Sequence, residues 1–235
     1  MIKEAINRIL ELGAVEVLNI GNRAYTSKPV VPVVGPLAES LPLATLTGAK
    51  DYLVENLDNV SIGQVMLHVG DYRTVRIIGP IDGDFRQREA LITAKAHECG
   101  FPFGKYIERE DFQVGLMASF APTKMRDDVL KYVAGIVQSA EVKTSDDGIS
   151  QRVTARTGVA RVAEIDLPNP VTLQPYRTFP EAQQPESDFV FRVRQIDGKV
   201  GVALFEADGG RWKLQAALNI KEWLVENIPG ARVIV

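Results

Sequence analysis

Two pairs of arginines alternate with small or apolar residues in the C-terminal half of the chain: Arg152 and Arg156 in Arg-Val-Thr-Ala-Arg, and Arg192 and Arg194 in Phe-Arg-Val-Arg. Neighbouring side chains of a strand point to opposite faces, so each pair lies on one face. If both strands enter one sheet, four guanidinium groups line a single surface, a footprint for phosphates or an acidic partner. The plainer account is a solvated outer face balanced by carboxylates such as Glu206. Phe189 and Phe191 alternate to the other side and read as core, not as platforms for stacking bases.

Other chemistry is sparser. His68 and His97 are the two histidines, and His97-Glu98-Cys99 is the nearest approach to a ligand cluster. Adjacent residues point in different directions, so three in a row seldom converge on one ion; a polar turn before Gly100 is the alternative, and no metal site is assigned. Cys99 as a nucleophile needs a depressed pKa from a paired histidine or a helix N-terminus. A carboxylate followed by carboxylate-x-Lys, here Asp128 with Glu141-Val142-Lys143, matches the spacing of a Mg²⁺-dependent nuclease. Against it, Asp128 sits at the start of a helical pattern and not at a strand end. The chain has no Gly-x-Ser-x-Gly elbow, Walker-type loop or dinucleotide fingerprint. Gly209-Gly210 could offer amides to an anion. Asp208 beside it favours a helix-start turn, and no cofactor is implied.

The elements that carry these residues follow from periodicity and turn signals. Ile2, Ala5, Ile6, Ile9 and Leu10 predict a short amphipathic helix with Gly13 as a left-handed C-cap, followed by a strand at 15–20. Residues 28–46, studded with prolines, read as an extended arm. A helix near Thr47 presents Ala49, Tyr52, Leu53 and Leu57. Residues 65–69 and 72–78 predict a hairpin turning at Gly70-Asp71, whereas 88–96 suits strand or helix start. A helix capped by Thr123 carries Met125, Val129, Val133, Ile136, Val137 and Ala140. Asp-Gly turns predict hairpins around 146–148 and 197–198. Prolines break 168–185 into short edge-like pieces. The last helix, about Trp212 to Ile228, has an apolar stripe that Ala216, Ile220 and Trp223 widen beyond one surface face. Either it packs between layers of its own fold or part of it meets another subunit.

The whole composition bounds these readings. The chain has 235 residues, 46% hydrophobic and 24% charged, with 27 Lys+Arg against 30 Asp+Glu and a net charge of −3. That suits one large or two small domains able to bury a core, and it argues against coating nucleic acid by bulk charge. One cysteine excludes an internal disulfide. No stretch approaches a membrane span, and the charged start lacks a secretory pattern, so a bacterial cytoplasmic location without membrane contact is expected.

Ordered motifs give the C-terminal two thirds a further reading: Tyr106-Ile-Glu-Arg-Glu-Asp-Phe, Ala140-Glu-Val-Lys, Leu167-Pro-Asn-Pro-Val-Thr-Leu, Pro175-Tyr-Arg-Thr-Phe-Pro-Glu, and Gln184-Pro-Glu-Ser-Asp-Phe-Val-Phe-Arg-Val-Arg. This portion resembles the YfdQ-like proteins of tailed phages and prophages. The first 45 or so residues do not take part. The resemblance implies a phage or prophage origin and a host cytoplasmic location, and it transfers no catalytic residue.

The expected fold is α+β, with antiparallel hairpins packed on a long central helix and a C-terminal helix. Its expected parts are 1–27, the arm at 28–46, an α/β portion at 47–104, and 105–235, the last two separable or joined. The leading expectation is a non-enzymatic protein that self-assembles as a homo-oligomer, ring or shell, or binds a host or phage protein. Its interface would be Val30, Val31, Val33, Val34 and Leu37 of the arm with Ile220 and Trp223 of the last helix. The alternatives are a nucleic-acid-binding accessory of phage recombination or replication, using the four arginines, and the Mg²⁺-dependent nuclease.

Overall fold

Asp197 and Gly198 both adopt positive φ, 50° and 79°, the backbone that a two-residue turn needs to match the twist of its strands. They join β11 (Ser187–Ile196) to β12 (Lys199–Glu206), the longest hairpin of the molecule. The computed structural model describes residues 2–20, 23–26, 37–81, 86–97, 99–136, 144–146, 151–153 and 168–235. The elements preceding that hairpin are α1 (Ile2–Gly13), β1 (Val17–Ile20), β2 (Arg23–Thr26), β3 (Leu41–Leu43), α2 (Leu46–Val54), β4 (Met66–Asp71), β5 (Thr74–Ile81), β6 (Arg88–Lys95), β7 (Ile107–Glu108), α3 (Arg109–Ser119), α4 (Lys124–Gly135), β8 (Thr144–Asp146), β9 (Gln151–Val153) and β10 (Val171–Leu173). After it come α5 (Arg211–Asn227) and β13 (Arg232–Ile234). The fold is α+β, as the sequence predicts.

The chain divides into two compact units. The first, Met1–Leu37 with Asp82–Gln87, contains α1 and the antiparallel β1–β2 hairpin. Gly13 ends α1 without the left-handed cap expected of it, because its φ is not positive. The second, Ala38–Ile81 with Arg88–Val235, takes in the 105–235 portion and, apart from 82–87, the 47–104 portion.

Two sheets build the second unit. One is mixed, in the order β13-β4-β5-β6-β3, with parallel pairs at both edges. Alternate residues Leu67, Val69, Val75, Ile77, Ile92 and Ala94 bury one face against α2 and α5. Periodicity left 88–96 open; the structure makes it a strand. Part of the expected extended arm, Leu41-Pro42-Leu43, joins this sheet at its edge, where a proline is tolerated. The other sheet, β10-β11-β12-β7, is antiparallel and packs Val171, Leu173, Phe189, Phe191, Val193, Val202 and Leu204 against α3 and α4.

The caps follow local chemistry. Thr45 Oγ1 accepts from the Gly48 amide at 3.1 Å and Thr123 Oγ1 from the Arg126 amide at 3.1 Å, each satisfying an N–H that the helix cannot. The β4–β5 turn lies two residues later than expected, at Tyr72-Arg73. Asp71 decides this: its Oδ1 accepts from the Arg73 amide at 2.8 Å and its Oδ2 from the Thr74 hydroxyl at 3.2 Å, a side-chain turn that outcompetes Gly70. Leu57, expected on the buried face of α2, lies beyond the helix and is exposed.

Tyr52 on α2 is buried and donates to Asp58 Oδ2 at 2.7 Å. Burial, and next the bond to a carboxylate, push its phenol from 10.0 up to about 12. Between these values the unfolded chain has lost a proton that the folded chain keeps, so stability falls as pH rises through this window. Denaturant unfolding at a series of alkaline pH values should show the decline from about pH 10, and Tyr52→Phe should flatten the Tyr52 contribution.

Candidate functional site: a cleft around Arg177

Val171–Leu173 is a short edge strand, as the prolines suggested, whereas residues 174–186 run between the two sheets as a strap. Its start is tied to the α3–α4 connection, where the Ala121 amide donates to Gln174 O and the Tyr176 amide to Ser119 O, both at 2.8 Å. Gln184 holds the middle. Its Oε1 accepts from the amides of Arg177 and Thr178 at 3.0 and 3.3 Å, and its Nε2 donates to the carbonyls of Phe179 and Ala182 at 3.0 and 3.1 Å. Asn219 of α5 donates to Gln183 O at 2.7 Å. The strap can therefore pass through the interior with its backbone polar groups paired.

This path carries Arg177 inside. The residue is 5% exposed, and its guanidinium carbon stands 4.4 Å from the Phe103 ring centre, 5.0 Å from that of Phe189 and 4.3 Å from that of Trp212. Aromatic faces replace part of the water that the cation gives up. Arg177 Nη1 donates to Glu206 Oε1 at 2.6 Å. Burial pulls the guanidinium down from its ordinary range, while Glu206, and less strongly Cys99 and Asp208, oppose that shift. Around it opens a cleft of about 270 Å³ lined by Tyr72, Arg73, Cys99, Phe103, Arg177, Glu206 and Trp212. Tyr72 and Arg73 reach it because Asp71 moves the β4–β5 turn.

Arg152 and the β11 arginines do not share a sheet. Arg192 and Arg194 share a face of β11, but Arg152 lies on β9, which pairs with β8 in a separate two-stranded sheet, and Arg156 lies outside the described residues. Arg192 Nη1 donates to Phe191 O at 3.3 Å, and Arg194 lies 3.7 Å over the Tyr106 ring. Phe189 and Phe191 are core, as expected.

The interface residues also separate. Ile220 is fully buried in the chain's own core, and Trp223 packs against the same core while part of its surface stays exposed. The breadth of α5 comes from two faces. Ala216, Ala217, Ile220 and Leu224 point inward, while Leu214, Leu218 and Val225 form an exposed row on the other side. Leu37 is exposed in the first unit, and Val30, Val31, Val33 and Val34 lie outside the described residues.

Among the described residues the other candidates form no catalytic arrangement. Asp128 lies on α4, 3.7 Å from Lys131, while Glu141 and Lys143 fall outside the described residues. His97 is exposed after β6, Glu98 is not described, and Cys99 lines the Arg177 cleft. Among the described residues no group of three or more His, Cys, Asp or Glu could hold a metal ion, and no helix is long and apolar enough to cross a membrane. The Gly210 amide donates to Asp208 Oδ1 at 2.9 Å at the start of α5, the helix-start turn the sequence favours. No family model, curated protein or solved structure matches the chain.

Sequence reasoning missed Arg177 and its neighbours. The available signal was Arg177 set between Tyr176 and Phe179, aromatic residues uncommon in a free loop.

Two substitutions test this arrangement. Gln184→Leu removes a hydrogen-bond partner from four buried backbone groups, of which Phe179 O still accepts from the Ala182 amide at 3.1 Å, and should cost at least about 3 kcal/mol in urea unfolding. Ile220→Ala should cost about 2–5 kcal/mol, whereas Leu218→Ala in dilute protein should stay within about 0.5 kcal/mol; equal effects would contradict the two-faced helix.

Proposed function

We propose that this is a non-enzymatic protein that works by assembling with copies of itself. The observation that carries the reading is α1. Its apolar stripe of Ile2, Ile6, Ile9 and Leu10 is exposed, and the helix buries none of its 12 residues. A helix this short is marginal alone in water, and so is a two-stranded hairpin such as β1–β2. Their stability has to come from an apolar surface that covers them.

The second unit supplies surfaces of that kind. One is the outward row Leu214, Leu218 and Val225 on α5. Another is a groove between α3 and α4 where Val114 and Met117 are exposed beside Leu130 and Ala134. A copy that sets its α1 stripe on one of these surfaces of another copy joins two unlike surfaces. Such head-to-tail contacts close into rings when the rotation permits. A phage or prophage setting, implied by the resemblance to the YfdQ-like proteins, belongs to the same proposal.

Light scattering of the purified chain at micromolar concentration should give a mass several times 25.8 kDa. Ile6→Asp with Leu10→Asp should reduce it toward a single chain while leaving the unfolding transition of the second unit in place. A wild-type mass of one chain across that concentration range would end the proposal.

A further inference from the structure

One edge of the Arg177 guanidinium has no acceptor. Nη1 is taken by Glu206, whereas Nε and Nη2 meet no hydrogen-bond partner and are shut off from water. Nε–H and the adjacent N–H of Nη2 run side by side along the fork, and this edge grips an oxyanion through two parallel hydrogen bonds. Buried donors are ordinarily paired. Here two neighbouring donors are left over on a side chain 5% exposed that forms part of a cleft wall. The indole Nε1–H of Trp212, a residue of the same wall, is a third buried donor without a partner.

We infer that the cleft binds a small carboxylate with a flat apolar body. Its oxygens accept from Arg177 Nε and Nη2, and its body lies against Tyr72, Phe103 and Trp212. Other cations stand close by. Arg73 lines the cleft, and Lys213 Nζ lies 5.9 and 5.8 Å from the ring centres of Tyr72 and Trp212. The acidic groups fix the charge of the ligand. Glu206 already neutralises part of Arg177 and Asp208 acts on it as well, so a phosphate dianion would face two carboxylates where a monoanion adds one charge. A volume of about 270 Å³ is room for a small ligand only. Tyr72 and Trp212 meet edge to face with centres 4.7 Å apart, and the anion reaches the sealed edge as this pair parts. Tyr72 sits on the two-residue turn after Asp71.

The site is read directly on the wild-type protein through the ¹⁵N resonances of Arg177 Nε–H and Trp212 Nε1–H, titrated with four probes. These are sodium benzoate, its neutral isostere benzamide, inorganic phosphate, and a short peptide ending in phenylalanine with a free carboxylate. Benzoate should move both resonances saturably at millimolar concentration, benzamide should not, and phosphate should bind at least about tenfold more weakly than benzoate. Arg177→Lys, which keeps the charge and loses the fork, should weaken benzoate by about tenfold or more. A peptide that binds more tightly than benzoate supports the site and assigns the carboxylate to a polypeptide terminus; weaker peptide binding supports it and assigns a free acid. Equal shifts with benzamide, tighter binding of phosphate, or no saturable change with any probe up to about 50 mM overturns the inference.

Discussion

Gln184 is the residue on which the interior arrangement turns. A primary amide offers two acceptor sites and two donors, and all are used on the strap's own backbone, at Arg177, Thr178, Phe179 and Ala182. Without such a group a non-repetitive segment has no place inside a protein, because its amides and carbonyls lack the ladder that pairs them in helices and strands. With it, the strap can put Phe179 and Ala182 into the core beneath the mixed sheet while Arg177 lies over Phe103 and over Phe189 of the antiparallel one. One side chain thus lets a short segment enter one hydrophobic core and lay a cation on aromatic rings of the other.

The cost of that route falls on Arg177. Removing a guanidinium from water is expensive unless hydrogen bonds and opposite charge replace what is lost. Three aromatic rings and one short bond to Glu206 supply part of the replacement, and the Glu206 side chain, 44% exposed, keeps its own solvation at the same time. The rest is not replaced within the chain, which leaves Nε and Nη2 without acceptors. An arginine in an aromatic cage that needed only to fill space could be an apolar residue at less expense. Its retention as a half-satisfied cation is what gives the cleft a chemical preference.

Local interactions were legible in the sequence and distant ones were not. The Asp197-Gly198 hairpin and the Thr123 cap are decided by residues within a few positions of each other, and both stand where expected. The β4–β5 turn was misplaced because Gly70 is a general turn signal while the two bonds made by Asp71 are specific. Helix α3 went unread: its buried contribution is only Phe112 and Leu116, too few to show a period among charged neighbours. The edge strand β13 is three residues that pair only with β4, distant in sequence. The cleft was hidden for the same reason, since Tyr72, Cys99, Arg177, Glu206 and Trp212 converge from five separate segments. The arginine alternation on β11 was visible, but whether β9 shares its sheet depends on tertiary pairing that no local pattern encodes.

Helix α5 keeps the proposed assembly surface apart from the proposed ligand cleft. Successive residues turn by about 100° around a helix axis. Counting from Trp212, the buried Ala216, Ile220 and Leu224 fall on one side with it, whereas Leu214, Leu218 and Val225 cluster on the other. A copy that covers the outer row therefore approaches from the side away from Trp212 and the cleft. The same separation explains why the stripe looked too wide in the sequence: two faces with different tasks, one for the core and cleft and one unpartnered in the single chain, were projected onto one line of letters.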